Sequence, residues 1–517
     1  MDEKFYRQQL SGPVADPMEH YRCTGDRLGL NPTPYFDTKY YKSQYPDWAS
    51  RGSPTAFDDY LAHEKQGHWR SPHPLMSPTE YLRRYPDVAE AGISPMSHFI
   101  NHGDAEKRSP SSGFNAEFYN RCYMTLGSSH PFRHYVTKGR ANGYLPCPEP
   151  KDRKVSREAM EQAVAGMARP VLLVSHDAQA AGVPILTLDI ARALTARNWE
   201  PMFFLRNAGP LLPEFKQLGP TFILEEGWDE AGLVSALPLD TPALLNTSVV
   251  ASLAATLATT GLRCLVLIHE MADFVREHGL LSDLHEAQSA GAKLVASMPR
   301  MAKTLALEFH DVEQIRPGIV LPQTSLDAFR QVRLRVRGDR EKPVFIGAGH
   351  ADRRKGFDLF LQAAFAIKRT ATDARFVWLG ALDSWAQGLA DEALTEGLDI
   401  QLPGFVSNSL AWYRAADVYL LTSRQDPGPA TAIHAAAVGT PFVGYKADIG
   451  LIGFTDGVGS FVPKGDEEAF VSAALAKAFS NTPASRRNIR KKVQKEASFP
   501  RYVDELLSLI SGCPANG

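Results

Sequence analysis

The feature that most constrains this chain is the run from Pro343 to Tyr445. It opens with PVFIGAGHADRRKGFDLF, a pattern that predicts a strand, a glycine-rich loop with a basic cluster, and a helix. It closes with LLTSRQDPGPATAIHAAAVGTPFVGY, which predicts a strand, a Pro/Gly turn, a helix start and another strand. Since anions bind where a glycine-rich loop leads into a helix, the run predicts an α/β domain with a site for a phosphorylated ligand.

The same alternation of strand and helix patterns extends over most of the chain. Strand patterns begin at Pro170 and the series restarts after about Pro317. Repeated strand–helix units imply right-handed crossovers and parallel sheets covered on both faces. With 517 residues the chain is too long for one hydrophobic core, and about three domains are expected. We therefore expect two doubly wound domains facing each other, preceded by a further module.

That preceding module contains an internal repeat. FDTKYYKSQYPD from Phe36 recurs as MSPTEYLRRYPD from Met76 and more loosely as FNAEFYNRCY from Phe114, at spacings of 40 and 38 residues. This period, with two short aromatic segments in each repeat, predicts stacked helical pairs that serve a structural or interaction role. One tyrosine recurs in every repeat, and we expect it to fill the seam between neighbours. These tyrosines are Tyr41, Tyr81 and Tyr119.

Composition argues against several protein classes. A net charge of -2 gives no global field for nucleic acid or membrane. The five cysteines lie far apart without metal-binding spacing, so neither disulfides nor structural zinc are expected, and a reducing compartment fits best. The opening MDEKFYRQQL lacks the apolar stretch of a secretory signal. A cytoplasmic protein is therefore expected.

In doubly wound sheets ligands bind beyond the carboxyl ends of the strands, and polar residues of this chain concentrate there. In the first predicted sheet this rule selects His176, Asn246, His269 and Glu270. In the second it selects the segments 347–355, 404–405 and 423–431.

The chemistry of the second set suits a diphosphate. Gly347 and Gly349 let the backbone approach a ligand closely, and a basic cluster follows just before a helix. Within that cluster we expect Lys355 to contact phosphate. At the second helix start, Pro429 suits the first turn, and Thr431 or a backbone N–H can face an anion. Asp426 lies just before it and can accept hydrogen bonds from sugar hydroxyls, although an ordinary turn role fits equally well.

These motifs resemble the donor-binding domain of retaining glycosyltransferases of the GT-B fold, family 4 type. RRKGFDLFLQA resembles the family's basic loop and helix start, and LPGFVSNSLAWYRAADVYLLTS resembles the segment leading to the donor site. The resemblance places the nucleotide base at Gly404 and Phe405. QDPGPATAIHAAAVGTPFV matches the helix that usually carries two glutamates, and here Asp426 and His434 stand at those positions.

The resemblance also implies roles for further residues. His350 stands where many relatives have arginine, so Lys355 and Arg353 are expected to carry the phosphate charge. The residues expected to bind the donor therefore include positions at both helix starts. They comprise Gly347, Gly349, Arg353, Lys355, Gly404, Phe405, Asp426, Pro429, Ala430, Thr431 and His434.

The first α/β half resembles the acceptor domain of the same enzymes. SHDAQAAGVPILTLDIARAL resembles its opening strand, loop and helix, and IHEM resembles the His-Glu pair of related bacterial enzymes. The residues expected on the acceptor side are His176, Gly182, Asn246 and Glu270, and Asp426, Lys355 and His269 are the expected catalytic residues. The repeats resemble accessory modules of bacterial polysaccharide glycosyltransferases.

The expected organisation is a GT-B fold preceded by a mostly helical repeat domain. The expected segments are a repeat module (1–150), a linker or entry helix (151–168), an acceptor-side domain (169–325), a donor domain (326–498), and a closing helix and tail (499–517). The resemblance implies transfer of a sugar from a nucleotide-diphosphate donor to a glycan, lipid-linked or protein acceptor, with retention of configuration. Two alternatives stay open: a catalytically degenerate scaffold protein, and a GT-B nucleotide-sugar epimerase.

Partner and cofactor expectations follow from the same comparison. No carboxylate pair with metal-binding spacing is evident, so neither a metal nor another cofactor is expected. A protein partner for the repeats and peripheral contact with the inner face of a membrane, through RRNIRKK from Arg486, are kept as alternatives. Nucleic acid is not an expected partner.

Overall fold

The computed structural model describes residues 1–124, 129–337, 342–370, 373–426, 428, 430–451 and 457–511. The chain forms two compact units. One comprises residues 1–168, 175–188 and 201–238, and the other comprises residues 169–174, 189–200 and 239–517.

The strands confirm the predicted pattern of short, buried runs. In chain order they are β1 Pro170–Ser175, β2 Glu200–Leu205, β3 Thr221–Ile223, β4 Ala243–Leu245, β5 Cys264–Ile268, β6 Lys293–Ala296, β7 Glu313–Gln314, β8 Val344–Ala348, β9 Arg375–Leu379, β10 Ile400–Gly404, β11 Val418–Leu421, β12 Gln425–Asp426, β13 Phe442–Lys446, β14 Asp448–Ile449 and β15 Gly459–Pro463. Sequence patterns missed the short β7, β12 and β14, and also β15, which has only one buried residue.

Helices cover the intervening segments. Those of the first half are α1 Glu3–Arg7, α2 Pro17–His20, α3 Asp26–Leu28, α4 Thr38–Gln44, α5 Ala56–Lys65, α6 Pro78–Arg84, α7 Pro86–Glu90, α8 Pro95–His98, α9 Ala116–Tyr123, α10 Pro131–His134, α11 Arg153–Val164, α12 Gly182–Thr195, α13 Leu212–Leu218 and α14 Glu230–Ser235. Those of the second half are α15 Ala251–Thr259, α16 Ala272–Glu277, α17 Leu281–Ser289, α18 Pro299–Leu305, α19 Leu326–Arg337, α20 Phe357–Thr370, α21 Ser384–Thr395, α22 Ser409–Ala415, α23 Ala430–Ala437, α24 Glu467–Ser480, α25 Pro483–Glu496 and α26 Phe499–Ser511.

Two parallel sheets organise the α/β part, as the sequence predicts. Among the described residues, one sheet has the order β3-β2-β1-β4-β5-β6-β7 and the other the order β10-β9-β8-β11-β13-β15. In each sheet the order reverses next to the first strand, between β1 and β4 and between β8 and β11. Doubly wound sheets bind their ligands at such reversal points, because the loops on either side diverge and leave a crevice.

The core of the second sheet is built from apolar side chains on both of its faces. β8 is buried throughout, and Phe357 and Phe360 of α20 are fully buried against it. Leu361 and Ala364 complete the buried face of α20, while Phe365, which the helical period places on the same face, is only partly buried. This packing holds the glycine-rich loop after β8 against a rigid support.

The N-terminal module contains four helical units instead of the three that the sequence shows. In the first unit Tyr6 hydrogen bonds to Nδ1 of His20 at 2.8 Å, just as Tyr81 bonds to His98 at 3.0 Å and Tyr119 to His134 at 2.9 Å. The first unit escaped detection because its YRQQL lacks the YPD ending of the second and third units.

The recurring tyrosines do not lie where the sequence analysis places them. Tyr119 bonds to His134 of its own unit, and its hydroxyl lies 1.9 Å from where a Cβ at Gly139 would stand. The same restriction recurs at Gly25 and Gly103, each within a π-helical turn. The seam expectation is therefore wrong. Tyr81 and Tyr119 fix the internal packing of their units, with a glycine that makes room for the hydroxyl. Tyr41 instead donates to Asp59 of its own unit at 2.8 Å.

The seams use other residues. The buried carboxylate of Asp104 accepts hydrogen bonds from the Tyr35 hydroxyl at 2.8 Å and from the backbone N–H groups of Phe132 and Arg133 at 2.8 and 3.1 Å. Burial raises the pKa of Asp104, and the three donors oppose that effect. His73 packs edge-on against Phe132, with ring centroids 5.1 Å apart.

The segment between the repeats and the first sheet takes the form of the expected entry helix. α11 begins after Asp152, whose side chain accepts from the Val155 N–H at 2.8 Å. The hydroxyl of Ser156 accepts from the Asp229 N–H at 3.0 Å, so α11 is anchored to the start of α14. No helix in the described part of the chain combines the length and apolar character that crossing a membrane requires.

His73 gives the repeat module a specific pH dependence. Burial lowers the pKa of His73 from 6.5 to about 4, and its Nδ1 accepts the Leu75 N–H at 3.1 Å. Because the unfolded chain binds the proton more readily, stability falls as the pH decreases from 6.5 toward 4. In the wild type, this histidine makes the unfolding free energy about 2 kcal/mol lower at about pH 5 than at about pH 7. We expect His73→Gln to abolish that contribution, as measured by urea denaturation at the two pH values.

The matched control is His68→Gln, because His68 is exposed. An unchanged pH dependence in His73→Gln, or an equal change in His68→Gln, contradicts this assignment.

Candidate functional site

The reversal of strand order in the second sheet brings two polar loops together. β8 runs into the loop that carries Gly349 and Lys355, and β11 is followed by Thr422, Ser423 and Asp426. Since β8 and β11 are parallel neighbours, their carboxyl ends lie at the same edge of the sheet. This edge is the point at which the sequence predicts the phosphorylated-ligand site.

Lys355 and Asp426 form an ion pair at this edge. The Lys355 Nζ lies 2.5 Å from Oδ2 of Asp426, and their side chains are only 16% and 6% exposed. The Ser423 hydroxyl lies 3.5 Å from the same carboxylate oxygen. The structure thus joins two of the three residues predicted to be catalytic. Each charge is compensated by the other.

Glycines give the Lys355 loop its shape. Gly349 has a φ of +138°, and the Lys355 stem lies 3.2 Å from where its Cβ would stand. Gly356 has a φ of +68°, and a Cβ there would lie 2.1 Å from the Thr422 carbonyl. At both positions any other residue adds backbone strain and a steric contact. The loop can therefore pass directly beneath the lysine and against the loop after β11.

Arg424 locks the two loops together. Its guanidinium donates to both carboxylate oxygens of Asp358 at 2.8 and 2.7 Å and to the Arg353 carbonyl at 2.8 Å. Burial raises the pKa of Asp358, but the hydrogen bond and charge of Arg424 outweigh it and hold that pKa below its ordinary value. Sequence analysis missed this role of Arg424 because nothing in the local pattern marks its partner, 66 residues away.

Gly347 and Arg353, both predicted to bind the donor, each pack against a tryptophan ring. A Cβ at Gly347 would lie 2.6 Å from the Trp378 ring, so this glycine lets strand and indole pack closely. The Trp378 Nε1–H donates to the Gly349 carbonyl at 3.0 Å, which fixes the loop. Arg353 lies over the Trp385 ring at 5.1 Å. The predicted phosphate contact of Arg353 thus competes with a cation–π contact.

The segment predicted to hold the nucleotide base is open to solvent, and its role stays a prediction. Gly404 has a φ of +73°, a Cβ at this position would meet no atom within 4 Å, and Phe405 is 86% exposed. The Gly404 carbonyl accepts from the Gly380 N–H at 2.9 Å, which ties the end of β10 to the end of β9. An aromatic ring exposed to this extent is available for stacking.

The residues predicted to bind the donor at the start of α23 differ in their exposure and contacts. Ala430 is exposed, whereas Thr431 uses its hydroxyl on the buried Tyr419 hydroxyl at 2.8 Å. His434 is partly exposed, and burial lowers its pKa, which favours the neutral imidazole. Pro429 lies outside the described residues.

His269 and its neighbours form a separate cluster at the ends of β4 and β5. The His269 Nε2 lies 2.8 Å from Oδ1 of Asn246, so the proton of the neutral ring belongs on Nε2. Burial lowers the pKa of His269, and the Glu270 charge opposes this effect only in part. A neutral ring with its proton on Nε2 leaves Nδ1 as an acceptor.

The Glu270 carboxylate accepts hydrogen bonds from two hydroxyls and two backbone N–H groups of this cluster. Its Oε1 accepts from the Thr247 hydroxyl at 2.5 Å, and its Oε2 accepts from the Ser248 hydroxyl at 2.8 Å, the Ser248 N–H at 3.2 Å and the His269 N–H at 3.1 Å. Four donors on one carboxylate make Glu270 the brace that holds His269 in place.

His176 and Gly182 belong to the first compact unit. The His176 Nε2 lies 3.5 Å from Oδ2 of Asp177, while its buried Nδ1 and the Ser175 hydroxyl have no hydrogen-bond partner among the described residues. Gly182 is exposed at the start of α12, with open space around it. Their predicted acceptor roles stay predictions.

Within the second unit, the loops beyond the two sheets meet. The Arg300 guanidinium donates to the Ala447 carbonyl at 2.9 Å, and the Met298 Cε lies 3.2 Å from where a Cβ at Gly428 would stand. Over the described residues, no group of three or more His, Cys, Asp or Glu side chains is placed to hold a metal ion. Metal independence of the chemistry stays a prediction.

A protein-family model and several curated relatives match the part of the chain that contains the site. Residues 340–478 match the family model described as glycosyl transferases group 1. D-inositol 3-phosphate glycosyltransferases are similar in sequence: that of Frankia alni is 25% identical over 208 residues, covering 37% of this chain and 51% of the relative. That of Paenarthrobacter aurescens is 31% identical over 164 residues, covering 29% and 40%. The chain spans about half the length or less of these curated relatives.

Solved structures extend the likeness to both α/β domains. The Anabaena protein HepE, in complex with UDP, has a TM-score of 0.56 at 16% identity, covering 66% of this chain and all of HepE. Sucrose-phosphate synthase from Thermosynechococcus elongatus has a TM-score of 0.52 at 18% identity, covering 66% and 98%. At these identities the likeness is one of fold. The protein therefore has the predicted GT-B fold, preceded by a helical region.

The bracing role of Glu270 is testable apart from activity. Glu270→Gln replaces one acceptor oxygen by a donor that faces donors, so we expect a loss of about 1–3 kcal/mol in unfolding free energy. Glu277→Gln, which changes an exposed side chain of α16, is the matched control and should leave stability unchanged. Equal thermal midpoints for both variants would show that Glu270 is no brace.

Proposed function

We propose that this protein is a glycosyltransferase that transfers a sugar from a nucleotide-diphosphate donor with retention of configuration. The observation that carries the proposal is the Lys355–Asp426 pair, 2.5 Å apart at the strand-order reversal of the second sheet. The match of residues 340–478 to glycosyl transferases group 1 supports it.

Lys355 is the group that binds the diphosphate. Its stem is held over Gly349, so the position of its charge is set before a ligand binds. A diphosphate offers more negative charge than the single carboxylate that Lys355 contacts in the structure. Binding of the donor therefore redirects the ammonium from Asp426 to the phosphate oxygens.

The same lysine acts on the leaving group. As the bond from sugar to phosphate breaks, negative charge grows on the departing diphosphate, and a cation fixed at that point stabilises the transition state. Asp426, released from Lys355, accepts hydrogen bonds from the sugar hydroxyls and orients the ring. The acceptor hydroxyl attacks from the face that the diphosphate leaves, which retains the anomeric configuration.

The nucleoside binds at the ends of the neighbouring elements. Phe405 offers an exposed ring next to the open space at Gly404, and His434 can donate or accept one hydrogen bond with a ribose hydroxyl. Solved structures of HepE contain UDP and UDP-glucose, so uridine donors are the first to test here.

The acceptor is a glycan, a lipid-linked glycan or a protein. His269, in the half of the protein that binds the acceptor, is the residue that faces it. A neutral His269 held by Asn246 and Glu270 can accept a proton or hydrogen bond through Nδ1. Because the curated relatives are D-inositol 3-phosphate glycosyltransferases, inositol 3-phosphate is a suitable first soluble acceptor.

A catalytically degenerate scaffold is the second candidate. The observation that favours it is His434, a side chain with a lowered pKa at a position where the resembling family has glutamate. A neutral imidazole offers one acceptor, whereas a carboxylate offers two oxygens to a pair of ribose hydroxyls. A donor that binds without release of nucleoside diphosphate would identify the scaffold.

Lys355→Met tests the lysine with its stem kept. It removes the charge over Gly349, and we expect kcat for release of nucleoside diphosphate to fall by about 10²- to 10³-fold. Arg354→Met, which removes an exposed neighbouring cation, is the control and should retain activity. If both variants keep wild-type turnover, or if no nucleotide sugar is bound or turned over by the wild type, the proposal fails.

Retention has its own test. With an α-linked donor, we expect NMR of the first product formed to show an α-linkage, because attack and departure share one face. A β-linked product would exclude the same-face mechanism while leaving sugar transfer itself intact.

A further inference from the structure

A second charged site lies at the opposite edge of the donor-side sheet. A groove of about 950 Å³ is lined by residues of α19, α22, α24 and α25 and by Pro343 and Asp417. Pro343 and Asp417 immediately precede β8 and β11, whereas Lys355 and Asp426 follow the same strands. The groove and the Lys355 site are therefore separated by the length of the sheet.

The groove is strongly basic although the chain as a whole carries a net charge of -2. Most of its cations come from two helices, α19 and α25. They are Arg330, Arg333, Arg337, Arg486, Arg487 and Arg490. Lys342 and Arg414 add two more, and Asp417 is the carboxylate of the lining.

Carboxylates compensate about half of these cations. Arg330 lies 3.6 Å from Asp327, and Lys342 lies 2.5 Å from Asp373. Asp417 serves Arg337 and Arg486. Its carboxylate already accepts from Arg337 at 2.6 Å and from the Val344 N–H at 2.9 Å, and lies 3.5 Å from Arg486. In the described part of the chain, Arg333, Arg487 and Arg490 have no carboxylate within ion-pair distance. Three guanidinium groups thus keep their donors for a ligand.

The floor of the groove supports the same conclusion. Arg486, 16% exposed, donates to the Arg414 carbonyl at 2.9 Å. Burial lowers the pKa of Arg486, Asp417 raises it, and the cations Arg337, Arg414 and Arg490 lower it further. Burial is the largest of these causes, and the three neighbouring guanidinium groups act in the same direction.

We propose that this groove binds a multiply phosphorylated ligand. Arginine forks match phosphate oxygens in pairs, and cations on two helices that meet at Asp417 can hold more than one phosphate group. The groove also has an apolar component for the organic part: Phe329 lies 4.6 Å beneath Arg414, and Phe479 is 73% exposed. Its volume suits a small organic ligand.

The test measures binding of inorganic tripolyphosphate by titration calorimetry to the full chain. All proteins carry Lys355→Met, so that the proposed donor site contributes no phosphate binding. We expect saturable binding that weakens at least about tenfold in Arg487→Gln/Arg490→Gln, because two unpaired donors to phosphate are lost. Lys154→Gln/Arg157→Gln, an equal charge change on the exposed face of α11, should bind as the parent does.

A second arm distinguishes the source of the phosphates. The same proteins are sedimented with phosphatidylcholine vesicles with and without phosphatidylinositol 4,5-bisphosphate. Binding of tripolyphosphate without binding to the phosphorylated vesicles identifies a soluble phosphorylated ligand. Binding to the phosphorylated vesicles that the groove variant alone loses identifies a lipid headgroup.

Absence of binding in both arms, or equal weakening in both double variants, would overturn the proposal. Thermal midpoints equal to that of the parent show that the variants are folded. Because the parent already lacks the Lys355 charge, loss of groove binding is distinct from failure of the glycosyltransferase proposal.

Discussion

The ion pair between Lys355 and Asp426 is the contact on which the site at the second sheet depends. Its two residues follow β8 and β11, the strands at which the sheet order reverses, so they meet only because the sheet has this topology. An unpaired charge at 16% or 6% exposure would be costly, and the pair compensates both charges. The site is thus close to neutral at its centre, and in the proposed mechanism a diphosphate displaces the carboxylate from Lys355.

Backbone conformation makes this pair possible. At Gly349 and Gly356 a side chain would meet Lys355 and the Thr422 carbonyl respectively, so the loop can approach only without one. Arg424 then closes the arrangement from outside by holding Asp358 and the Arg353 carbonyl. Glycine adopts both positive φ angles without strain, and the loop is held on both sides, which keeps the lysine in one position.

Sequence patterns predicted those parts of the protein that depend on local periodicity. The buried strands β8 and β11, the helix start after Lys355 and the parallel sheets follow from apolar runs, glycines and repeated strand–helix units. The role of Tyr119 was not predictable, because it depends on a hydroxyl fitting against Gly139 after a π-helical turn forms. The sequence marked the basic run from Arg486 and the segment that contains Arg424, but not the roles of these residues, since their partners are brought together only by tertiary packing.

The two basic sites of this domain differ in how their charge is balanced, and this difference bears on their selectivity. Lys355 is paired and shielded, so in the proposed function a ligand has to offer more than one carboxylate's charge and the right geometry to displace Asp426. Arg487 and Arg490 lie on one helix with no such competitor among the described residues, and their attraction for anions is long-ranged and screened by salt. The neutral Lys355 site favours discrimination between ligands, whereas the positively charged groove favours attraction of any anion. The sheet between them lets one domain carry both without their charges meeting.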